Sequence, residues 1–280
     1  MMRRIILSIS FLCITFLSCK DHDVLEVPGN VILQSSYDHV KAEQIFNHVT
    51  KIVEDAFLNM DQHMTHNQSK STLTYKFDTI NINNISTPAI RINFSSSGTL
   101  LFNNKIMEGE IIAGYDGFFG DSLTIINISF LNYKVDGQLI QGDVTIKNKG
   151  ICKNENICFE MEVINGSVNT LNGTINWETI RNIEWTEGKE TKFTRNDDKY
   201  KITGHSSGNG INGNDFHVEI TDTLQMHLSC PTCLLKNGQA IISPEGYDDR
   251  IINYGVDTSI CDCGVYITID NTTYPIQIGG

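Results

Sequence analysis

The sequence predicts a mainly β protein, an antiparallel meander of about 10–16 strands forming a sandwich or a curved sheet, with one N-terminal amphipathic helix. Three observations support this fold class. From Thr72 onward, short runs rich in Ile, Val, Thr, Phe and Tyr alternate with Gly beside Asn or Asp. The same region shows no second convincing helical pattern, which argues against parallel βαβ units. The chain has only five prolines, as suits a long meander, because proline cannot donate to a sheet ladder.

The composition is that of a folded acidic protein. Of 280 residues, 21 are Lys or Arg and 33 are Asp or Glu, which gives a net charge of −12, and 40% are hydrophobic. A disordered acidic chain would contain fewer apolar residues than this. Affinity for nucleic acid depends on clustered Lys and Arg, so we expect no nucleic-acid partner.

The first element is an export signal. Arg3 and Arg4 precede an apolar run of 13 residues, 5–17, interrupted only by Ser and Thr. A helix that spans a membrane needs about 20 residues, so the run is too short for that role. A charged start followed by such a run is typical of a secretory signal peptide, which we place at residues 1–18.

The residues after this run resemble the lipobox of bacterial lipoproteins. The segment Phe16-Leu17-Ser18-Cys19 consists of apolar residues, a small residue and a cysteine. The resemblance implies that the Cys19 thiol is acylated and becomes the first residue of an anchored protein; an ordinary cleaved signal is the alternative. The following residues 20–23, Lys-Asp-His-Asp, look like the lysine-plus-acid signal that sends Bacteroidota lipoproteins to the cell surface. Residues 19–34 then form a polar tether.

A helix is expected at about residues 36–62. Apolar residues recur there at spacings of three and four, which is a helical stripe. Ser35 or Ser36 is expected to cap its start, and its polar opposite face suggests a helix lying on a sheet. A helix that binds a partner is the alternative. The stripe consists of Val40, Ile45, Phe46, Val49, Ile52, Val53, Ala56, Phe57 and Met60.

The remaining chain reads as strands joined by tight turns, within one domain at residues 35–280. Asn-Gly and Asp-Gly pairs tolerate positive φ and fit hairpin turns, and no fixed repeat period is present. The expected turns lie at Asp116-Gly117, Asp136-Gly137, Asn165-Gly166, Asn172-Gly173, Asn209-Gly210, Asn212-Gly213 and Asn237-Gly238.

Six cysteines remain after the signal and Cys19, and an exported body makes disulfides the default. Cys152 and Cys158 could form a local bridge, and a second arrangement ties the strand ending near Ser229 to the strand with Cys261 and Cys263. Two alternatives stay open: a tetrathiolate zinc site and a redox-active pair within Cys-Pro-Thr-Cys. These alternatives involve Cys230, Cys233, Cys261 and Cys263.

The other polar clusters carry weaker signals. His63, His66, His205, His217 and His227 lack the spacing of a metal or triad motif. Residues 204–215 offer oxygen ligands for calcium, although a hairpin connection is preferred. The doublets Asp197-Asp198 and Asp248-Asp249 suggest the carboxylates of a glycoside hydrolase, with a solvated turn as the preferred interpretation. Trp177 and Trp185 could stack on sugars or fill the core.

The whole layout is similar to β-rich lipoproteins of Bacteroidota, a family without an assigned activity, so no catalytic residue is carried over. This resemblance implies a lipid-anchored outer-membrane protein at the cell surface, with the periplasmic face as the alternative. We expect a non-catalytic binding or structural module without a cofactor, whose partner is a glycan or an outer-membrane protein. The competing hypotheses are a secreted polysaccharide hydrolase and a structural metal-binding lipoprotein.

Overall fold

The computed structural model describes residues 33–63, 73–82, 84–100, 105–191, 194–230, 232–255, 261 and 264–277. The signal, Cys19 and the tether lie outside this part of the chain. Within it are one α-helix, thirteen strands and one short 3-10 helix, Lys153–Glu155. The elements are α1 Gln34–His63, β1 Leu73–Ile82, β2 Ile85–Leu100, β3 Ile106–Tyr115, β4 Ile125–Val135, β5 Gln138–Ile151, β6 Ile157–Thr170, β7 Gly173–Glu187, β8 Lys199–Asn209, β9 Asp215–His227, β10 Leu235–Pro244, β11 Arg250–Asn253, β12 Gly264–Ile269 and β13 Thr272–Gln277.

All thirteen strands belong to one sheet in which each pairs with its sequence neighbours in the order β1 to β13. Every pairing is antiparallel. The prediction of an antiparallel meander with one N-terminal helix is therefore confirmed. Of the two expected arrangements, the structure has a single curved sheet.

The sheet curves around α1. The Phe46 ring stacks on Trp177 of β7 at 5.3 Å and meets Phe130 of β4 at 6.3 Å between ring centroids. On another side of the helix, Glu43 accepts a hydrogen bond from Tyr254, the residue after β11. Contacts from strands so far apart in one sheet require the sheet to wrap the helix, which supplies the middle of a continuous apolar core.

The polar side of α1 is buried. His39, Glu43, Lys51 and Glu54 are all buried, although the sequence places them off the apolar stripe. A helix enclosed by a curved sheet has no solvent side, so its polar side chains must find partners inside the protein. The partners of His39, Glu43 and Glu54 come from β7, β8 and the loops that follow β7 and β11, whereas Lys51 donates to Asp55 on the helix itself.

The helix extends slightly beyond the expected bounds and begins differently. Ser35 and Ser36 lie inside its first turn instead of capping it. The Ser36 hydroxyl is buried and has no hydrogen-bond partner among the described residues. Gln34 donates to the Asp38 carboxylate at 2.8 Å, and the backbone N–H of Ile211 donates to the same carboxylate at 2.9 Å. Asp38 thereby ties the start of the helix to the loop between β8 and β9.

Two of the expected Asn-Gly turns lie within strands. Asp136-Gly137 joins β4 to β5 as predicted. Asn165 instead lies in the interior of β6, where the register with β7 shifts, and has φ 51°. Gly238 lies in β10 beside another register shift and has φ 114°. Positive φ serves β-bulges as well as hairpins, so the dipeptide alone does not distinguish them.

The two ends of the sheet differ in their connections. Phe57, near the C-terminus of α1, meets Tyr115 at 5.2 Å and Phe119 at 6.4 Å between ring centroids, which places the β3–β4 connection at that end. The strand-to-strand connections longer than five residues, which follow β3, β7, β9 and β11, leave the sheet at that end, as does the five-residue connection 152–156. The opposite end has two-residue turns at 136–137, 171–172 and 270–271 and five-residue connections at 210–214 and 245–249.

Candidate functional site

The cysteines form disulfides at the end of the sheet with the long connections. Cys152 and Cys158 bridge the turn between β5 and β6, with Cα atoms 5.8 Å apart. Cys230 and Cys261 link the β9–β10 connection to the β11–β12 connection, with Cα atoms 5.3 Å apart. Cys233 is also disulfide-bonded.

These bonds contradict both cysteine alternatives in this structure. A bonded Cys230 and Cys261 do not provide two of the four thiolates that the zinc site requires, and Cys230 does not pair with Cys233 as a redox motif would. Cys263 lies outside the described residues. No group of three or more His, Cys, Asp or Glu side chains in the described part of the chain is arranged to hold a metal ion.

The weaker sequence candidates separate into exposed and internal residues. His205 and His217 lie together on the outer face of the sheet, with ring centroids 6.1 Å apart. The Asp248-Asp249 doublet is exposed, as expected for a turn. Trp177 and Trp185 are core residues, 1% and 8% exposed.

The residues proposed for calcium hold a hairpin together. The amide nitrogen of Asn209 donates to the backbone carbonyl of Gly213 and to the carboxylate of Asp215, both at 2.8 Å. The carboxylate oxygen of Asp215 is therefore already an acceptor within the loop. This arrangement corresponds to the hairpin connection that the sequence favoured.

A first internal polar cluster surrounds Glu43 on α1. Arg181 of β7 donates to one carboxylate oxygen at 2.6 Å, and the Tyr254 hydroxyl donates to the other. The indole N–H of Trp177 donates to Nδ1 of His39 at 3.1 Å. Nε2 of His39 then carries its proton and can donate to the Tyr254 hydroxyl, 3.1 Å away.

This cluster fixes the helix inside the sheet. Burial raises the pKa of the Glu43 carboxyl, but the charge of Arg181 and the interactions with His39 and Tyr254 outweigh it and lower the pKa to about 2. Glu43 and Arg181 are each only about 3% exposed, so a substrate has no access to them. The charge-assisted hydrogen bonds between them fix the rotation of α1 about its axis and its position relative to the strands.

A second internal cluster lies near the C-terminus of α1, where Arg195 interacts with two carboxylates. Its Nη2 donates to Glu54, and its Nε lies 2.8 Å from an oxygen of Asp198. Nη2 of Arg195 also donates to the Tyr200 hydroxyl at 2.8 Å. The Trp185 indole N–H donates to Asp198 at 3.1 Å. The expectation that both members of the Asp197-Asp198 doublet are solvated is wrong, since Asp198 is 1% exposed.

The carboxyls of this second cluster titrate near neutral pH. Burial raises the pKa of Glu54 to about 7 and that of Asp198 to about 6, although Arg195 lowers both. Raised carboxyl pKa values also occur in hydrolases. A hydrolase would need open space for a substrate between its two carboxyls, whereas here the guanidinium of Arg195 contacts both of them.

An open cleft of about 540 Å³ lies on the outer face of β6, β7, β8 and β9. Its floor follows one cross-strand row, in which Gly166 pairs with Trp177, Trp177 with Gly208 and Gly208 with Phe216. The two aromatic side chains point inward, since Trp177 is 1% and Phe216 is 3% exposed. The row therefore contributes backbone and no outward side chain to the floor.

The two glycines are needed for the packing beneath this floor, because a Cβ at either position would point inward, on the same face as the Trp177 and Phe216 side chains with which they pair. A Cβ on Gly166 would lie 2.3 Å from the carbonyl oxygen of Trp177, and one on Gly208 would lie 2.2 Å from that of Asn176. The Gly208 Cβ would also lie 2.6 Å from the Phe216 ring. Any larger residue would force the strands or the aromatic rings to move.

Two rows of polar side chains border the floor. Ser167, Asn176, Asn209 and Asp215 occupy paired positions on one side. Asn165, Glu178 and Ser207 line the other side. All seven side chains are neutral amides, hydroxyls or carboxylates. The lining contains no Lys, Arg or apolar outward side chain.

Several of these polar side chains have no hydrogen-bond partner among the described residues. Ser167, Asn176 and Ser207 make no side-chain hydrogen bond to another described residue, whereas Glu178 accepts one from the backbone N–H of Asn165 at 3.2 Å. In the sequence, Asn209 and Asp215 are calcium candidates, and no sequence pattern indicates the cleft. The available signal was the pair of segments Asn-Gly-Ser at 165–167 and Ser-Gly-Asn at 207–209, which become neighbours of Asn176 and Glu178 only when the register is known.

Within the described residues, no helix has the length and apolar character needed to span a membrane. Comparisons with protein-family models, curated proteins and solved structures found no match to this chain.

Proposed function

We propose that this protein is an exported lipoprotein, anchored to the outer membrane through Cys19, whose β-sheet body is a non-catalytic binding module at the cell surface. The Phe16–Cys19 segment supports the anchor. Two described disulfides, Cys152–Cys158 and Cys230–Cys261, support export, because such bonds persist in oxidising compartments.

The cleft on β6 to β9 is the observation that supports binding. It is open to solvent and carries polar side chains that the fold does not use. In the two internal clusters, by contrast, the carboxylates form ion pairs with buried arginines. The carboxyl pair with raised pKa values, Glu54 and Asp198, contacts Arg195 instead of bordering a substrate space. These contacts favour a binding module over the hydrolase hypothesis.

Labelling of intact cells with a membrane-impermeant amine reagent tests the cell-surface location. The Lys76 side chain is 69% exposed, so mass spectrometry of its peptide should detect the label on intact cells. A soluble periplasmic protein in the same cells serves as the control and should stay unlabelled until the cells are lysed. Labelling of Lys76 only after lysis would contradict the surface location and favour the periplasmic face.

A further inference from the structure

We propose that the cleft on β6 to β9 binds a neutral, hydroxyl-rich chain, that is, an oligosaccharide without acidic groups. This inference rests on the proposed function as a binding module and names the ligand class of its cleft. Four features support it: the shape of the floor, the donor and acceptor groups of the lining, the absence of lining cations and the full pairing of the strands.

The shape of the cleft suits an extended ligand that lies across the strands. The floor row crosses four strands, and neighbouring strands are about 4.8 Å apart, so it is about 14 Å long. Because all four positions of the row face inward, as the buried Trp177 and Phe216 side chains show, no side chain of the row interrupts this path. A linear ligand on the floor would have polar side chains along both edges.

The donor and acceptor groups of the lining match hydroxyl groups. Asn165, Asn176 and the two serines can both donate and accept, whereas Glu178 and Asp215 can only accept when ionised. A ligand that satisfies this set must present many donors together with acceptors. Sugar hydroxyls do both, while an aliphatic or aromatic ligand would leave the polar groups unpaired.

The charges of the lining disfavour an acidic ligand. Glu178 and Asp215 contribute two negative charges, and no Lys or Arg lines the cleft to offset them. The whole chain carries a net charge of −12. A sulfated or uronic-acid chain would therefore meet repulsion at the cleft and in the surrounding field.

The pairing of the strands disfavours a peptide. An extended peptide usually binds by adding to an open strand edge, with its side chains in alternate pockets. β6, β7, β8 and β9 each pair on both sides, so their backbone groups are already used. The lining also lacks an apolar pocket for a peptide side chain. Recognition must come from outward polar side chains, as a glycan would require.

The test measures binding of defined oligosaccharides to the purified full-length exported protein in detergent. The probes are linear neutral hexasaccharides of glucose, xylose, mannose and galactose, with oligogalacturonate as the acidic comparison and an extended peptide as the third class. Isothermal titration calorimetry at millimolar probe concentration gives the affinities. We expect at least one neutral hexasaccharide to bind and the oligogalacturonate and the peptide not to bind.

Two variants connect binding to the cleft. Asn176→Ala and Ser207→Ala each remove an outward side chain that the fold does not use, so each should weaken binding about tenfold by loss of a ligand hydrogen bond. Asn182→Ala is the matched control, because Asn182 is an exposed residue on the same strand β7 outside the cleft. It should leave the affinity unchanged.

Three outcomes would overturn the inference. These are failure of every neutral hexasaccharide to bind, tighter binding of the acidic or peptide probe, and binding that Asn176→Ala and Ser207→Ala do not weaken. Peptide binding that the two variants abolish would remove the glycan inference but keep the binding module. If none of the three probe classes binds, the glycan inference is wrong. The cell-surface location is then still tested separately by the labelling of Lys76.

Discussion

Replacing Arg181 with methionine should destabilise the protein by leaving the Glu43 carboxylate buried without its cation. The two side chains are each about 3% exposed and their charged atoms lie 2.6 Å apart. Removal of one partner from a buried ion pair costs about 3–5 kcal/mol. That loss is a large part of the roughly 5–15 kcal/mol by which folded domains are stable.

The pH dependence gives this prediction a specific signature. In the native protein, the pKa of Glu43 is lowered to about 2 from its ordinary value of 4.5. Its contribution to stability is therefore present above about pH 4.5 and is lost as the pH falls towards 2. At about 1.4 kcal/mol per pKa unit, this contribution is about 3 kcal/mol. Without Arg181, burial should raise the pKa of Glu43 above 4.5. Lowering the pH from 8 to 5 should therefore reduce the stability that Arg181→Met loses relative to the parent protein.

Guanidinium unfolding followed by tryptophan fluorescence measures this effect, because Trp177 and Trp185 are both buried. A Cys19→Ser background removes the proposed lipid, and the disulfides are kept oxidised. The double variant Glu43→Gln with Arg181→Met is the control, since it removes both charges and should recover at least half of the loss. The prediction fails if Arg181→Met loses less than about 1 kcal/mol of stability at pH 8, or if its loss stays constant between pH 8 and 5.

Three further predictions concern stability and use the same unfolding assay. Burial raises the pKa of Glu54 to about 7, so the free energy of unfolding should fall by up to about 3 kcal/mol as the pH rises from 4.5 to 7. Glu54→Gln should remove this pH-dependent decrease. Gly109→Ala should cost at least about 2 kcal/mol more than Gly137→Ala. Both positions have positive φ, but only the Gly109 Cβ would collide, 2.2 Å from a backbone oxygen. Replacing Cys230 and Cys261 by serine should cost about 3–4 kcal/mol, as expected for loop closure at a separation of 31 residues. The first prediction fails if stability does not change between pH 4.5 and 7. The second fails if the two glycine variants lose equal stability, and the third fails if the serine variant unfolds at the same denaturant concentration as the parent protein.

The sequence predicted the fold class because strand periodicity and turn residues act locally. The meander and the single helix are confirmed, and the Cys152–Cys158 bridge follows from a short separation of six residues. The enclosure of α1 was not predictable in the same way. A helix with polar residues opposite its apolar stripe, such as Glu43 and Glu54, looks identical in sequence whether that side meets water or buried arginines.

The candidate cleft depended on register, which the sequence did not determine. Asn165-Gly166 indicated a turn, yet the pair forms a bulge within β6. Gly166 and Gly208 are 42 positions apart in the chain and become neighbours only through Trp177 between them. Without the pairing of β6, β7 and β8, the polar residues around them read as ordinary outward positions of separate strands.

Intact-mass spectrometry of the protein purified from membranes tests the central claim, that this β-sheet body is exported and lipid-anchored. We expect a chain that begins at Cys19, carries a diacylglyceryl group and an acyl group on that residue, and retains its disulfides. A chain that begins at Met1, or one whose amino terminus and cysteine carry no lipid, would contradict this claim.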